Sequence, residues 1–374
     1  MVIDCATAFL NQEFKVKLDS NFSLIGCKNG VYDFNLKKLR PGRPSDYITM
    51  STHRNFVDRD VSLEDIVPIN EFLTDVLVDP EVITCLLATF CLSLRGVQHA
   101  KFFMWTGVGA NGKSKLAHLL RNALGDYGVI LPVQVVTSKR IENGKPMPEM
   151  SQARNTQFAA FSEPCTNEVL NSGAIKEICG GDSMYNRTLY SEGSEMTCRF
   201  IPVLLCNDKP ECNDQSEGMG RRMRVFNFPV QFKQFPDPKK YPYEKKLDDT
   251  IDQMIEEQAD LFMTWCLTAG IEYVERVGMK YPESVLNETQ SYRNDCDWVS
   301  QFRQEFITKT FNEKDTLRWN TVLTAATTYY KAHCTGRLPR VVDLRKMFEK
   351  ALGEKLHNWE WKGWLMPGNC SGGF

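Results

Sequence analysis

The stretch Gly107-Val108-Gly109-Ala110-Asn111-Gly112-Lys113-Ser114 constrains this chain more than any other, because it matches the phosphate-loop pattern G-x-x-x-x-G-K-[ST] in full. Its flanks suit it. Lys101 to Thr106, ahead of the glycines, is apolar and aromatic, as a buried strand is. Behind it Leu116, Leu119, Leu120 and Ala123 fall at helical spacing, with Gly125 as a stop. Gly107, Gly109 and Gly112 let the backbone turn so that successive N–H groups face a polyphosphate, and the helix adds its unpaired amides and positive dipole end. Lys113 then reaches the outer phosphates and Ser114 offers a hydroxyl to Mg²⁺. The expectation is an α/β core with a parallel sheet that binds a nucleoside triphosphate.

Composition narrows the setting. A chain of 374 residues, 42 % of them hydrophobic, has material for two or three domains, and a net charge of −2 excludes a uniformly basic nucleic-acid coat. Thirteen cysteines, an odd number with no C-x-x-C pair, indicate neither a disulfide framework nor a zinc ribbon. Free thiols in a reducing compartment fit best. No signal peptide and no apolar run of ~18 residues is evident, so a soluble, intracellular protein without membrane contact is expected.

Up to about residue 60 the pattern is strand-like: Phe22 to Cys27, the turn signal Asn29-Gly30, then Val31 to Phe34, a Pro41 to Pro44 loop, and extended chain again at Asp46 to Met50. From 64 to 96 the apolar residues recur at helical spacing, with Pro80 separating two helices. After the phosphate loop, Val129 to Val133 reads as a strand and Thr137 to Arg154 as a polar loop carrying Lys139, Arg140 and Lys145. A helix is expected over 167–179, a hairpin over 182–200 with its tip at Ser191 to Glu195, and a loop over 231–246. Ile251 to Cys266 is amphipathic. From Trp298 on, three helical patterns precede an aromatic, extended end at Trp359 to Trp364, and Lys and Arg outnumber Asp and Glu.

Three further sites carry chemistry. The apolar run Thr156 to Phe161 leads to Glu163, an acid placed to face Ser114 across the site; whether it serves the metal or acts as general base is open from sequence. Ile201 to Cys206 leads to Asn207, an amide that can hold a water or the γ-phosphate without adding negative charge. Arg221 and Arg222, with Arg224 close behind, offer guanidinium groups for charge developing on a transferred phosphoryl group.

In that order and spacing these elements resemble the superfamily 3 helicase domain of poxvirus-type helicase-primases of large DNA viruses and of phage or plasmid primase-helicases. The resemblance rests on Leu24 to Asp33 with Asp46 to Thr49, Gly107 to Ser114, Phe161-Ser162-Glu163, Lys176 with Gly180-Gly181-Asp182, Arg187 to Tyr190, Cys206 to Pro210, and Arg221-Arg222. It implies an AAA+-like P-loop NTPase core, with a small β-rich region over 1–60 and a helical collar over 61–98. The core itself spans 99–235, followed by a helical extension over 236–297 and a winged-helix-like module over 298–374. It implies a homo-oligomer, a hexameric ring with ATP between subunits and single-stranded DNA in the channel. Lys113 and Ser114 take the Walker A roles, Glu163 Walker B and Asn207 sensor 1, with Mg²⁺ on Ser114 and Glu163. Arg221 or Arg222 is then the finger reaching a neighbour's ATP, and the hairpin after Arg187 faces the channel, with Arg187 as a DNA contact. Glu192 and Glu195 depart from the basic hairpin tips of related viral initiators. A primase module and other replication proteins are the implied partners. The activity expected is ATP-dependent replicative DNA unwinding; a loader or packaging motor, or a nucleotide-dependent assembly platform, are the alternatives.

Overall fold

A computed structural model describes residues 12–96, 100–137, 148–165, 168–181, 183–186, 194–334 and 338–367. Strands β1 (Leu24–Cys27), β2 (Gly30–Asp33) and β3 (Lys38–Arg40) form an antiparallel meander, turned at Asn29-Gly30. Chain 46–50 forms no strand, contrary to the expectation of extended structure. A 3₁₀ turn at Pro44–Asp46 leads into it, pinned by Arg40, which pairs with both Asp33 (3.1 Å) and Asp46 (2.8 Å). Helices α1 (Val67–Leu77) and α2 (Pro80–Leu94) follow, with the Asp79 side chain accepting from the Glu81 N–H at the start of α2.

The centre is a five-stranded parallel sheet of β4 (Phe102–Thr106), β5 (Gly128–Leu131), β6 (Phe158–Phe161), β9 (Ile201–Cys206) and β10 (Met223–Asn227), in the order β10-β4-β9-β6-β5. Helix α3 (Lys113–Leu124) joins β4 to β5. Alternation along β4 serves both faces: Phe103 and Trp105 enter one core, Phe102 and Met104 the other. The first core also takes Ile25, Tyr32, Phe56, α1, α2, and Ile255 and Phe262 of α5 (Ile251–Trp265), so the amino-terminal strands and collar helices pack on the sheet directly. Edge strand β10 is covered by α7 (Glu283–Asp295), whose Thr289 hydroxyl accepts the Val225 N–H at 2.9 Å.

Several segments depart from expectation. Helix α4 is Ser172–Ile178, shorter than 167–179, because Val169 is held in a bridge to Glu211 and Asn171 caps the helix through the Ala174 N–H. The polar stretch 137–154 is helical at its end, Pro148–Gln152; Lys139, Arg140 and Lys145 lie outside the described residues. Strands β7 (Ser183–Asn186) and β8 (Ser194–Thr197) form the expected hairpin, while Arg187 and Glu192 lie outside the described residues. The expected loop 231–246 is a ribbon of two parallel strands, β11 (Gln231–Lys233) and β12 (Glu244–Lys246). Buried Glu244 closes it, accepting from the Lys233 ammonium and the Asp237 N–H.

Helix α5 continues through a π turn, Cys266–Gly270, into α6 (Ile271–Val277). The last part has its own core. Helices α8 (Trp298–Phe306), α9 (Trp319–His333) and α10 (Val341–Leu352) enclose Trp298, Trp319, Trp361 and Trp364, and two strand pairs, β13 (Thr308–Lys309) with β16 (Trp364–Leu365) and β14 (Thr316–Arg318) with β15 (Glu360–Lys362), form a wing. Three helices and a wing make this a winged-helix-like module, its tryptophans in the core apart from exposed Trp359. Among the described residues every cysteine is a free thiol, and no single helix is long and apolar enough to cross a membrane.

Candidate functional site

The phosphate loop lies at the carboxyl end of the sheet, where open parallel sheets bind ligands. Gly107 has φ 151° and Gly112 φ 84°, both outside the range of ordinary residues, and a Cβ on either would collide, at 2.4 Å with the Phe228 carbonyl and at 2.6 Å with Val76. Gly109 differs: nothing lies within 4 Å of its added Cβ. Its backbone is open to approach by a ligand.

Strand register gathers the polar groups. Thr106 of β4 stands beside Cys206 of β9, and Phe161 of β6 beside Leu204, so Lys113, Asn207 and Glu163 emerge together. The Lys113 ammonium donates to the Gly107 carbonyl at 2.8 Å and to Asn207 Oδ1 at 3.0 Å. The Asn207 N–H in turn donates to Glu163 Oε1 at 2.9 Å. Burial pushes the Lys113 pKa below the usual lysine value, with Glu163 acting in the opposite sense. A buried ammonium held by neutral oxygens is poised to exchange them for anionic ones.

These groups line a cavity of about 520 Å³, a size suited to a nucleotide. One wall is Gly109 to Lys115 with Ser162, Glu163, Cys206 and Asn207; the other is apolar, formed by Phe72, Phe232, Leu247 and Ile251. Helix α1, the ribbon and α5 build that second wall, and none of its residues stands out in the sequence. The ribbon touches the loop directly: the Phe232 N–H donates to the Ala110 carbonyl at 2.7 Å. Ser114 is exposed to the cavity, and Val108 is 67 % exposed beside it. A small hard cation accepts oxygen donors and keeps most of its water, so the Ser114 hydroxyl with Glu163 across the cavity fits Mg²⁺. Among the described residues no group of three or more His, Cys, Asp or Glu forms a separate metal site.

Arg221 and Arg222 are not in this cavity. They precede β10, and Met223 pairs with Phe102 at the start of β4, whereas the cavity opens beyond Thr106 and its partner Asn227. Five residues of strand separate the two ends by about 15 Å. Arg221 is exposed, while Arg222 donates to the Gly218 carbonyl at 2.7 Å. Lys101 joins them, donating to the Arg221 carbonyl at 2.7 Å. Burial, then Arg224, Arg221 and Arg222, push the Lys101 pKa down. Arg293 packs against Gly220, where an added Cβ would lie 2.5 Å from its guanidinium carbon. Among the described residues none of these five cations forms an ion pair with a carboxylate.

The turn that carries Arg221, Glu217–Gly220, is braced from below. Lys176 of α4 donates to Asp214 at 2.6 Å and to the Ser216 hydroxyl at 3.1 Å, and Ser216 caps the turn by accepting from the Met219 N–H. Burial raises the Asp214 carboxyl, but hydrogen bonds from Lys176 and Ser216 outweigh it and hold the group at about 2. Lys101, Asp214 and Ser216 of the brace, and the apolar wall are the residues sequence reasoning missed, while Lys176 is among those that carry the resemblance. Of the missed residues only Lys101, a cation heading an apolar strand, left a signal.

Residues 2–78 match the family described as "D5 N terminal like". Across 355 residues, 92 % of this chain, it is 30 % identical to "Putative helicase L207/L206" of Acanthamoeba polyphaga mimivirus, covering 37 % of that protein. It is 27 % identical over 354 residues (89 % of this chain, 38 % of the relative) to "Putative helicase 121R" of Invertebrate iridescent virus 3. To "Putative primase C962R" of African swine fever virus (strain Badajoz 1971 Vero-adapted) it is 26 % identical over 368 residues, 94 % of this chain and 38 % of the relative. The chain thus spans under two fifths of the length of these curated relatives. Among solved structures, the A form apo structure of the NrS-1 C terminal region aligns with a TM-score of 0.47 at 11 % identity, covering 82 % of this chain and 71 % of that one.

Proposed function

We propose, from the premise that this chain belongs to the helicase-primase family, that it is an ATP-driven DNA helicase of superfamily 3, an AAA+-like ring motor whose active site is completed by a neighbouring copy. The observation that carries this is the separation of two half-sites across one sheet. The cavity holds a loop, an ammonium, an amide and a carboxylate, while the arginines stand about 15 Å away at the opposite strand ends. A hexameric ring brings the cationic end of one protomer to the cavity of the next.

Within such an interface each group has a task. The loop amides and Lys113 bind the β- and γ-phosphates; Phe72, Phe232, Leu247 and Ile251 take the base. Ser114 and Glu163 would hold Mg²⁺, and the ion would supply neutralisation of phosphate charge there. Glu163 is oriented by the Asn207 N–H and stands where an attacking water is polarised, and Asn207 reports the γ-phosphate through its contact with Lys113. Arg221 and Arg222, with Lys101 alongside, stabilise charge on the transferred phosphoryl group in trans. Single-stranded DNA runs through the channel, with the β7–β8 hairpin facing it.

Forked-duplex displacement tests the reading. Wild type with Mg²⁺-ATP displaces the strand, and Lys113→Ala does not. Turnover without displacement would replace the helicase by a loader or packaging motor. Ring formation with turnover below about one per minute would leave an assembly platform.

A further inference from the structure

We propose that the outer face of the β11–β12 ribbon binds single-stranded nucleic acid, at a site separate from the ring channel. The ribbon has two sides. Phe232, Lys246 and Leu247 line the nucleotide cavity, and the Phe232 N–H holds the loop at Ala110. The segment joining its strands stays in solvent: Phe235 is 85 % exposed, Tyr241 49 % and Tyr243 53 %.

Lysines stand among these rings. The Lys233 and Lys240 ammonium groups lie 5.5 Å and 5.1 Å from the Tyr241 ring centre, and Lys239 is exposed beside them. The acids of the segment are engaged inside it. Glu244 is buried against Lys233 and the Asp237 N–H, and the Asp237 carboxylate accepts the Lys240 N–H at 3.3 Å. Pro236, Pro238 and Pro242 stiffen the backbone that presents the rings. Exposed rings interspersed with lysines complement a chain of bases and phosphates, since a ring stacks a base and a lysine neutralises a phosphate. A packed protein interface is the poorer match, because lysine is depleted there. The same ribbon contacts the phosphate loop through the Phe232 N–H at Ala110.

Fluorescence anisotropy with a labelled oligothymidine tests this on the whole chain, without nucleotide and across a salt series. Phe235→Ala is expected to weaken binding about 10-fold, the loss of one stacked base. Lys239→Gln/Lys240→Gln is expected to flatten the slope of log K against log salt by about 1.4, at roughly 0.7 per phosphate contact on a single strand. Native mass spectrometry and ATP turnover on the same variants are expected to match wild type, since none of these side chains lines the cavity. Unchanged affinity and slope in both variants would overturn the proposal. Weakened assembly with unchanged oligonucleotide affinity would also overturn it, making the ribbon a contact between protomers. Binding here needs no hydrolysis, so a chain without turnover would fail the ring-motor reading and still report on Phe235.

Discussion

The two ends of the central sheet are opposites. At the carboxyl end the charged groups beside the phosphate loop hold one another through Asn207: Lys113 donates to Asn207 and Gly107, and Glu163 accepts the Asn207 N–H. At the amino end Lys101, Arg221, Arg222, Arg224 and Arg293 gather with no carboxylate partner among the described residues. Burial first, and then repulsion from Arg224, Arg221 and Arg222, push the Lys101 pKa down. A fold keeps such an arrangement where an anion arrives from outside. The difference is between groups that hold one another and cations left without carboxylates, and the proposed ring reads them as the two halves of one site.

The largest expected effect breaks the comparison at its cationic end. Arg221→Ala/Arg222→Ala should lower kcat by about 10³- to 10⁵-fold, the range for removing an arginine finger, while equilibrium binding of a slowly hydrolysed ATP analogue to dilute protomers is unchanged. Loss of that protomer affinity would place the arginines in their own cavity.

Glu163→Gln comes next. The amide still accepts the Asn207 N–H, so only the charge and the base are removed, and kcat should fall by about 10²- to 10⁴-fold with KM little altered. A matching loss of Mg²⁺ affinity instead would assign Glu163 to the metal. Phe232→Ala, on the apolar wall, should raise KM for ATP about 10-fold with kcat nearly kept, from the aromatic surface lost to the base. A fall in kcat alone would mean that the ribbon shapes the loop and not the base site.

Asp214→Asn should have the smallest effect, a few-fold loss in kcat, since the brace acts on Arg221 only through the Glu217–Gly220 turn. Its pH dependence is the sharper readout. The folded carboxyl sits at about 2 against an ordinary 3.8, so its stabilising contribution is complete above the ordinary value and disappears as pH falls through about 2. The Tm gap between wild type and Asp214→Asn should therefore be widest near neutrality and close under acid. A gap that widens on acidification would exclude the Lys176 pairing.

Much of the cavity was legible because its groups are tied to the ends of short apolar runs. Lys113, Glu163 and Asn207 each follow a strand, and parallel strands deliver their carboxyl ends to one place. The arginines were legible as residues but not as positions. The sequence places them ahead of a strand, but only the parallel register of β10 on β4 shows that this end lies away from the cavity. Phe72, Phe232 and Ile251 come from three distant elements, and nothing in their spacing says they meet. Prolines and lysines hid the ribbon, whose strands span three residues each and pair across an intervening turn. Asp46 to Met50 has β-like composition but forms no strand; a local network, Arg40 with Asp33 and Asp46, holds the 3₁₀ turn Pro44–Asp46 at its start.

The central claim is that two copies make one active site, and mixing tests it most directly. Lys113→Ala has an inert cavity and intact arginines; Arg221→Ala/Arg222→Ala has the reverse. ATP turnover of each variant alone and of mixtures at fixed total protein is the measurement. The account predicts that both variants are inactive alone and that turnover reappears on mixing, highest near equal proportions. Turnover that stays at the level of the separate variants in every mixture, with mixed oligomers visible by native mass spectrometry, would contradict it.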